Sequence, residues 1–141
     1  METGPAHRYV QDFRNLAVWQ RAVDLAGLIF QATAKFPKGR DGNLSHQMRK
    51  AGVSIGLNIA EGCGRKGGAE FLRYLQIAMG SASEVEGGLV LSQKLRLLDK
   101  DTSDQLIERV SEVKRMLTGL MKSLGGRWGK PPPPDSPLPG S

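Results

Sequence analysis

Asn58, Glu61 and Arg65 recur at spacings of three and four, which places them on one row of a helix. A carboxylate beside a guanidinium and an amide could act as an acid–base centre, hold an anion, or lock two helices in register. Acid–base work needs a second carboxylate, a histidine or a nucleophile close by, and the row supplies none. Glu61 to Arg65 is instead an acid-to-base pair at i,i+4 in the favourable order, and Asn58 can join the same network. Partly buried, such a network serves to fix helix register. No catalytic residue is assigned.

The other reactive residue types are sparse. Cys63 is the single cysteine, which removes any intrachain disulfide framework and every multi-cysteine zinc or iron–sulfur pattern. His7 and His46 lie far apart and neither has a second ligand at helical spacing, so no metal site and no cofactor are expected. The segment Gly62-Cys-Gly-Arg-Lys-Gly-Gly68 is glycine-rich, but it lacks the first glycine of a phosphate loop and follows a helix pattern instead of a strand. No stretch reaches the ~18 apolar residues of a membrane span, and no signal-like segment opens the chain. A cytoplasmic location away from the membrane is the expectation.

What the chain does carry is charge. Lys and Arg number 20 against 14 Asp and Glu, a formal net charge of +6 with a pI near 9.8. The excess is local. Between residues 35 and 73 stand eight bases, Lys35, Lys38, Arg40, Arg49, Lys50, Arg65, Lys66 and Arg73, against the three acids Asp41, Glu61 and Glu70. Such a surface attracts a phosphate backbone in a salt-dependent way, or simply keeps the chain solvated. No helix-turn-helix or basic-zipper pattern accompanies it, so base reading is not expected.

These residues must be positioned by helices. At 141 residues the chain is about one domain long, and Ala, Leu and Met outnumber Val and Ile by 33 to 13, which favours an all-α fold. Apolar periodicity predicts helices over about 16–35, 44–63, 69–98 and 103–124, after an N-terminal arm at 1–15. Asn15, Asn43 and the run Asp101, Thr102, Ser103 supply cap chemistry. Residues 125–141, rich in Gly and Pro with Pro131 to Pro134 in a row, read as an extended or disordered tail. Gly87-Gly88 should weaken or bend the third helix, and the small residues Gly80, Ser81, Ala82 and Ser83 before it allow close helix approach. Short connections between four helices favour an up-down antiparallel four-helix bundle.

The second helix has three rows. Leu44, Met48, Ala51, Ile55, Ile59 and Gly62 make a core stripe, and Gln47, Ser54, Asn58, Glu61 and Arg65 make a polar stripe beside it. On the far side Val53, Leu57 and Ala60 form a second apolar patch, flanked by Arg49. One bundle buries only one of these apolar faces, so the other points to self-association.

The segment Gln47-Met-Arg-Lys-Ala-Gly-Val-Ser-Ile-Gly-Leu-Asn-Ile-Ala-Glu-Gly-Cys-Gly-Arg65, with Glu70-Phe-Leu-Arg-Tyr-Leu75 and Ile77-Ala-Met-Gly-Ser81, resembles the bacterial four-helix bundle proteins. These include proteins encoded by intervening sequences of large-subunit ribosomal RNA genes, and the accessory variability proteins of diversity-generating retroelements. The similarity runs from Leu16-Ala-Val-Trp19 through Phe36-Pro37 to about Leu98, and more loosely to Leu124. It implies a bundle protomer assembling into a barrel-like homopentamer. In the retroelement members it further implies a basic surface that binds nucleic acid and a partner reverse transcriptase. Asn58, Glu61, Gly62, Arg65 and Ser81 match the shared motif and are assigned to fold and assembly, with Val53 and Leu57 on the assembly face.

The functional expectation is therefore a non-enzymatic oligomer that binds RNA or DNA. Lys35, Lys38, Arg40, Arg49 and Lys50 would gather near one end of the second helix, and Arg65, Lys66 and Arg73 near the other. The alternative is a protein-interaction scaffold with no nucleic-acid ligand.

Overall fold

A computed structural model describes residues 12–124; the first eleven residues, with His7, and the proline-rich segment 125–141 lie outside the described residues. Four helices make up the body: α1 (Ala17–Thr33), α2 (Leu44–Cys63), α3 (Gly68–Lys94) and α4 (Lys100–Ser123). Each packs against its neighbour in sequence, and α4 closes the bundle against α1. No strand occurs among the described residues.

The core forms where one apolar stripe from each helix meets the others. Val18, Ala22, Leu25, Ile29 and Ala32 come from α1, Met48, Ala51, Ile55 and Ile59 from α2, Phe71, Leu75, Ala78, Ala82, Val85 and Leu89 from α3, and Leu106, Val110, Val113 and Leu117 from α4. All are buried, and their three-four spacing is what holds the helices in register. Three hydroxyls are buried with them. Thr33 donates to the Ile29 carbonyl at 2.7 Å, Ser92 to that of Gly88 at 2.7 Å, and Ser103 to that of Leu89 at 3.2 Å. Each therefore satisfies itself on helix backbone and leaves no polar atom free for chemistry.

Several boundaries differ from the periodic reading. Before α1, Phe13–Asn15 forms one 3-10 turn capped by the Asp12 carboxylate, so Asn15 lies inside that turn and Leu16 takes the N-cap position. Asn43 stands before α2 in the left-handed region at φ 71°; the carboxylate serving that helix end belongs to Asp41, which accepts from the amides of Asn43 and Ser45. α3 stops at Lys94, short of residue 98, because the Leu97 and Leu98 amides turn back onto the Ser92 carbonyl with Arg96 at φ 60°. Leu98 is buried beyond that turn, which is why its apolar character imitated helix. α4 starts at Lys100, with Asp99 accepting from the Thr102 amide at 3.0 Å in place of the expected cap at residues 101–103.

The glycine pair in α3 does not break the helix, which runs through it. Gly88 is there for packing: a Cβ on it would lie 2.6 Å from Cγ of Met48. Gly62 does the same at the other end of the α2–α3 pair, where a Cβ would meet the Phe71 ring at 2.8 Å and Tyr74 Cβ at 3.0 Å. Gly87 faces open solvent. Opposite effects follow for the same chemical change. Gly87→Ala should stabilise by about 0.5–1 kcal/mol through helix propensity. Gly62→Ala gains the same propensity term but must push apart a fully buried ring, and should lose about 1–3 kcal/mol net. Urea unfolding of the two variants checks this; a stabilised Gly62→Ala would show that the α2–α3 contact is looser than described.

Candidate nucleic-acid and assembly surfaces

The α2 rows reach three different environments. The polar row faces α3, where the Ser54 and Ser81 hydroxyls share a hydrogen bond at 2.8 Å. Asn58 donates to the Ser54 carbonyl at 2.8 Å and to its hydroxyl at 2.9 Å. It thus joins Ser54 and Ser81, and not the Glu61–Arg65 pair as expected, because its amide reaches back one turn. Arg65 donates to Glu61 at 2.5 Å and to the Tyr74 hydroxyl at 3.0 Å, with its guanidinium 5.1 Å from the Tyr74 ring centroid. Arg73 covers the same ring at 5.8 Å. Asn58, Glu61, Gly62, Arg65 and Ser81 therefore sit along the seam between α2 and α3.

The apolar row on the outer side of α2 is exposed. Val53 and Leu57 are 40% and 64% accessible, far more than a core position tolerates. α1 contributes to the same face. Val23 and Phe30, part of the apolar run of the first helix, are also exposed and stand beside Val53 and Leu57. Between them the floor is made of small residues, Ala26, Gly52 and Gly56. A Cβ on Gly52 or Gly56 would make ordinary contacts at 3.5 Å or more with α1, so neither glycine is sterically obligatory.

Arg49 fastens the upper part of this face. Its Nε donates to the Thr33 hydroxyl at 2.8 Å, its Nη2 to the Phe30 carbonyl at 3.3 Å, and its guanidinium lies 4.9 Å from the Phe30 ring centroid. The Phe30 carbonyl, which already accepts from the Ala34 amide at the end of α1, thereby gains a charged donor as well. Arg49→Ala should cost about 1–2 kcal/mol in thermal unfolding with the helix content retained. An unchanged melting point would mean that the clamp adds nothing.

The remaining bases divide by position. Lys35, Lys38, Arg40 and Lys50 are exposed around the α1–α2 connection. Lys66 stands with Arg65 and Arg73 at the opposite end, around the α2–α3 connection. Lys35 lies close enough to Asp99 to help hold its carboxyl below the usual range, behind the larger effect of the Thr102 amide. That proximity brings the α3–α4 turn to the same end as the α1–α2 connection, so Lys94 and Arg96 join the first group. Counted along the sequence, these two stand outside the 35–73 excess; the antiparallel topology was the available signal.

Other chemistry is thinly supported by the residues. Cys63 is buried, and burial pushes its thiol up to about 11, so it stays protonated and unreactive near neutral pH. No three His, Cys, Asp or Glu side chains come together to hold a metal ion among the described residues. None of the described helices is long and apolar enough to cross a membrane.

The family of 23S rRNA-intervening sequence proteins matches residues 14–119, a span that takes in all of α1 to α3 and most of α4. The chain belongs to this family. A crystal structure of a protein of unknown function from the S23 ribosomal protein family of Bacteroides thetaiotaomicron VPI-5482 is similar to it, with a TM-score of 0.68 at 23% identity. The similarity covers 75% of this chain and 99% of that one. At that identity the likeness is one of fold. No curated protein matches the chain. The seam residues of α2 and α3 all fall within the family match, as do the exposed apolar face and the six bases at the α1–α2 end.

Proposed function

We propose that this intervening-sequence protein is a non-enzymatic, self-associating bundle that binds the phosphate backbone of RNA or DNA through one end. The observation that carries the reading is the convergence of Lys35, Lys38, Arg40, Lys50, Lys94 and Arg96 around the α1–α2 connection and the α3–α4 turn. None of the six forms an ion pair with a carboxylate among the described residues. Two acids at that end, Asp41 and Asp99, have carboxylate oxygens occupied by backbone amides of α2 and α4. Flexible, unpaired cations suit a phosphate backbone, which asks for charge and little geometry.

Self-association adds to this through copy number. The exposed Val23, Phe30, Val53 and Leu57 supply the apolar face, and each added copy brings another basic end, raising the local field. Five copies is the number implied by the resemblance. No feature of the described surface singles out a reverse transcriptase as partner.

Filter binding of the full chain to single-stranded and duplex RNA and DNA at low salt tests the proposal. Binding well below millimolar, with little sequence preference, is expected. Binding no tighter than millimolar would remove nucleic acid as the ligand and leave a protein scaffold as the function.

A further inference from the structure

Resting on the phosphate-binding reading just proposed, we infer that the seam between α1 and α4 is a slot for one unpaired base of a single-stranded nucleic acid, entered from the basic end. The slot is a hollow of about 170 Å³ between the end of α1 and the start of α4. Its apolar wall comes from Leu28, Ala32 and Leu106, of which Ala32 and Leu106 are buried. The side chains of Gln31 and Gln105 line it from opposite helices. Neither amide is held by a hydrogen bond to another side chain or to backbone among the described residues. Lys35 marks the end nearest the α3–α4 turn, beside Asp99, and Arg109 the other, where the slot meets a second hollow lined by Asp24 and Gly27. Neither cation forms an ion pair among the described residues.

Each part of a nucleotide meets a different group there. Lys35 already belongs to the basic end, so a strand lying on that end runs past it into the slot, with Lys35 on the phosphate before the inserted base and Arg109 on the one after it. Asp99, the acid near Lys35, has a carboxylate oxygen occupied by the Thr102 amide. Beyond Arg109 the Asp24 carboxylate lines the second hollow and repels a further phosphate, which limits the slot to one nucleotide. A glutamine amide offers both a donor and an acceptor, so two of them on opposite walls can answer the edge of any base by rotating. They hold a base without selecting it. The base face lies against Leu28 and Leu106; no aromatic ring lines the slot, so edge bonding and apolar contact act in place of stacking. In a duplex the base edges are paired and the faces stacked, whereas single strands splay their bases out. A duplex therefore meets the basic end through its backbone alone.

Fluorescence anisotropy at low salt tests this on the full chain with three probes: a mixed-sequence single-stranded DNA, an abasic strand of the same length, and the duplex of the first. The abasic strand keeps the charge and removes the bases. The wild type should bind the single strand about tenfold more tightly than the abasic strand, the size of one or two hydrogen bonds. Gln31→Ala/Gln105→Ala should bring the single strand down to the abasic level and leave duplex binding unchanged. Both glutamines are exposed and alanine is the strongest helix former, so the variant should fold. Equal binding of the normal and abasic strands by the wild type would overturn the slot while the phosphate-binding end stands. A double variant that keeps the preference for the normal strand would overturn it as well. A wild type that binds none of the three probes would instead remove the phosphate-binding reading on which the slot rests.

Discussion

Leu57→Glu converts the assembled protein into protomers that keep their helices. Leu57 is the most exposed of the large apolar residues among the described residues and makes no part of the core, so its loss should leave the circular dichroism spectrum unchanged. In the proposed assembly it is buried. Removing a leucine from such a contact forfeits about 1.5–3 kcal/mol of apolar burial, which is ten- to a hundredfold in an association constant. The glutamate adds the cost of placing an ion beside Val53 and the Phe30 ring, where it must keep water or find a base. Arg49 is near but already bonded to Thr33 and Phe30. Light scattering should report a fall to protomer mass at concentrations where the wild type is assembled. An unchanged mass would place the contact on another face.

The second large effect concerns charge. Replacing Lys35, Lys38 and Lys50 together by Glu should weaken nucleic-acid binding by roughly a hundredfold at low salt and flatten its salt dependence by about three counterions. The protein should stay folded, because all three side chains are exposed and none is held in an ion pair among the described residues. Arg49 is left out of the set because it clamps α1 to α2, and its loss would mix a folding effect with a binding effect. Arg65 is also left out: Glu61 and the Tyr74 ring hold its guanidinium. Retained affinity in the triple variant would move the binding surface away from this end.

Much of this was legible in the sequence where one physical rule acted alone. The stripes of α3 and α4 obey the helical period with no competing signal, and residues such as Phe71, Val85, Val110 and Leu117 are buried as that period requires. The exposure of Val53 and Leu57 could be read because α2 carries apolar residues on two opposed faces, and only one can line a core. On α1 the sequence offers no such opposition of faces. Val23 and Phe30 lie just beyond the edge of its core stripe, and periodicity does not separate the edge of a core from an uncovered apolar face.

Other features were hidden because they depend on the partner helix. A glycine pair inside a helix weakens it by propensity, yet Gly88 is the place where Met48 enters, which only the α2–α3 packing discloses. Asn58 had two reachable networks on its own helix, and the approach of Ser81 favours the one through Ser54. The bases Lys94 and Arg96 looked unremarkable along the chain because acids follow them. Antiparallel folding returns them to Lys35 and Lys38, so the local charge excess spans two connections and not the single stretch from residue 35 to 73.

The measurement that tests the central claim most directly is the salt dependence of RNA and DNA binding by the wild-type chain. Four contacts from Lys35, Lys38, Arg40 and Lys50 predict that log K falls against log salt with a slope of about −3 on single strands and about −3.6 on duplex for each engaged end. Lys94 and Arg96 would steepen it further if they reach the same strand. A slope near zero, or no binding at low salt, would contradict a phosphate-binding role for this end of the bundle.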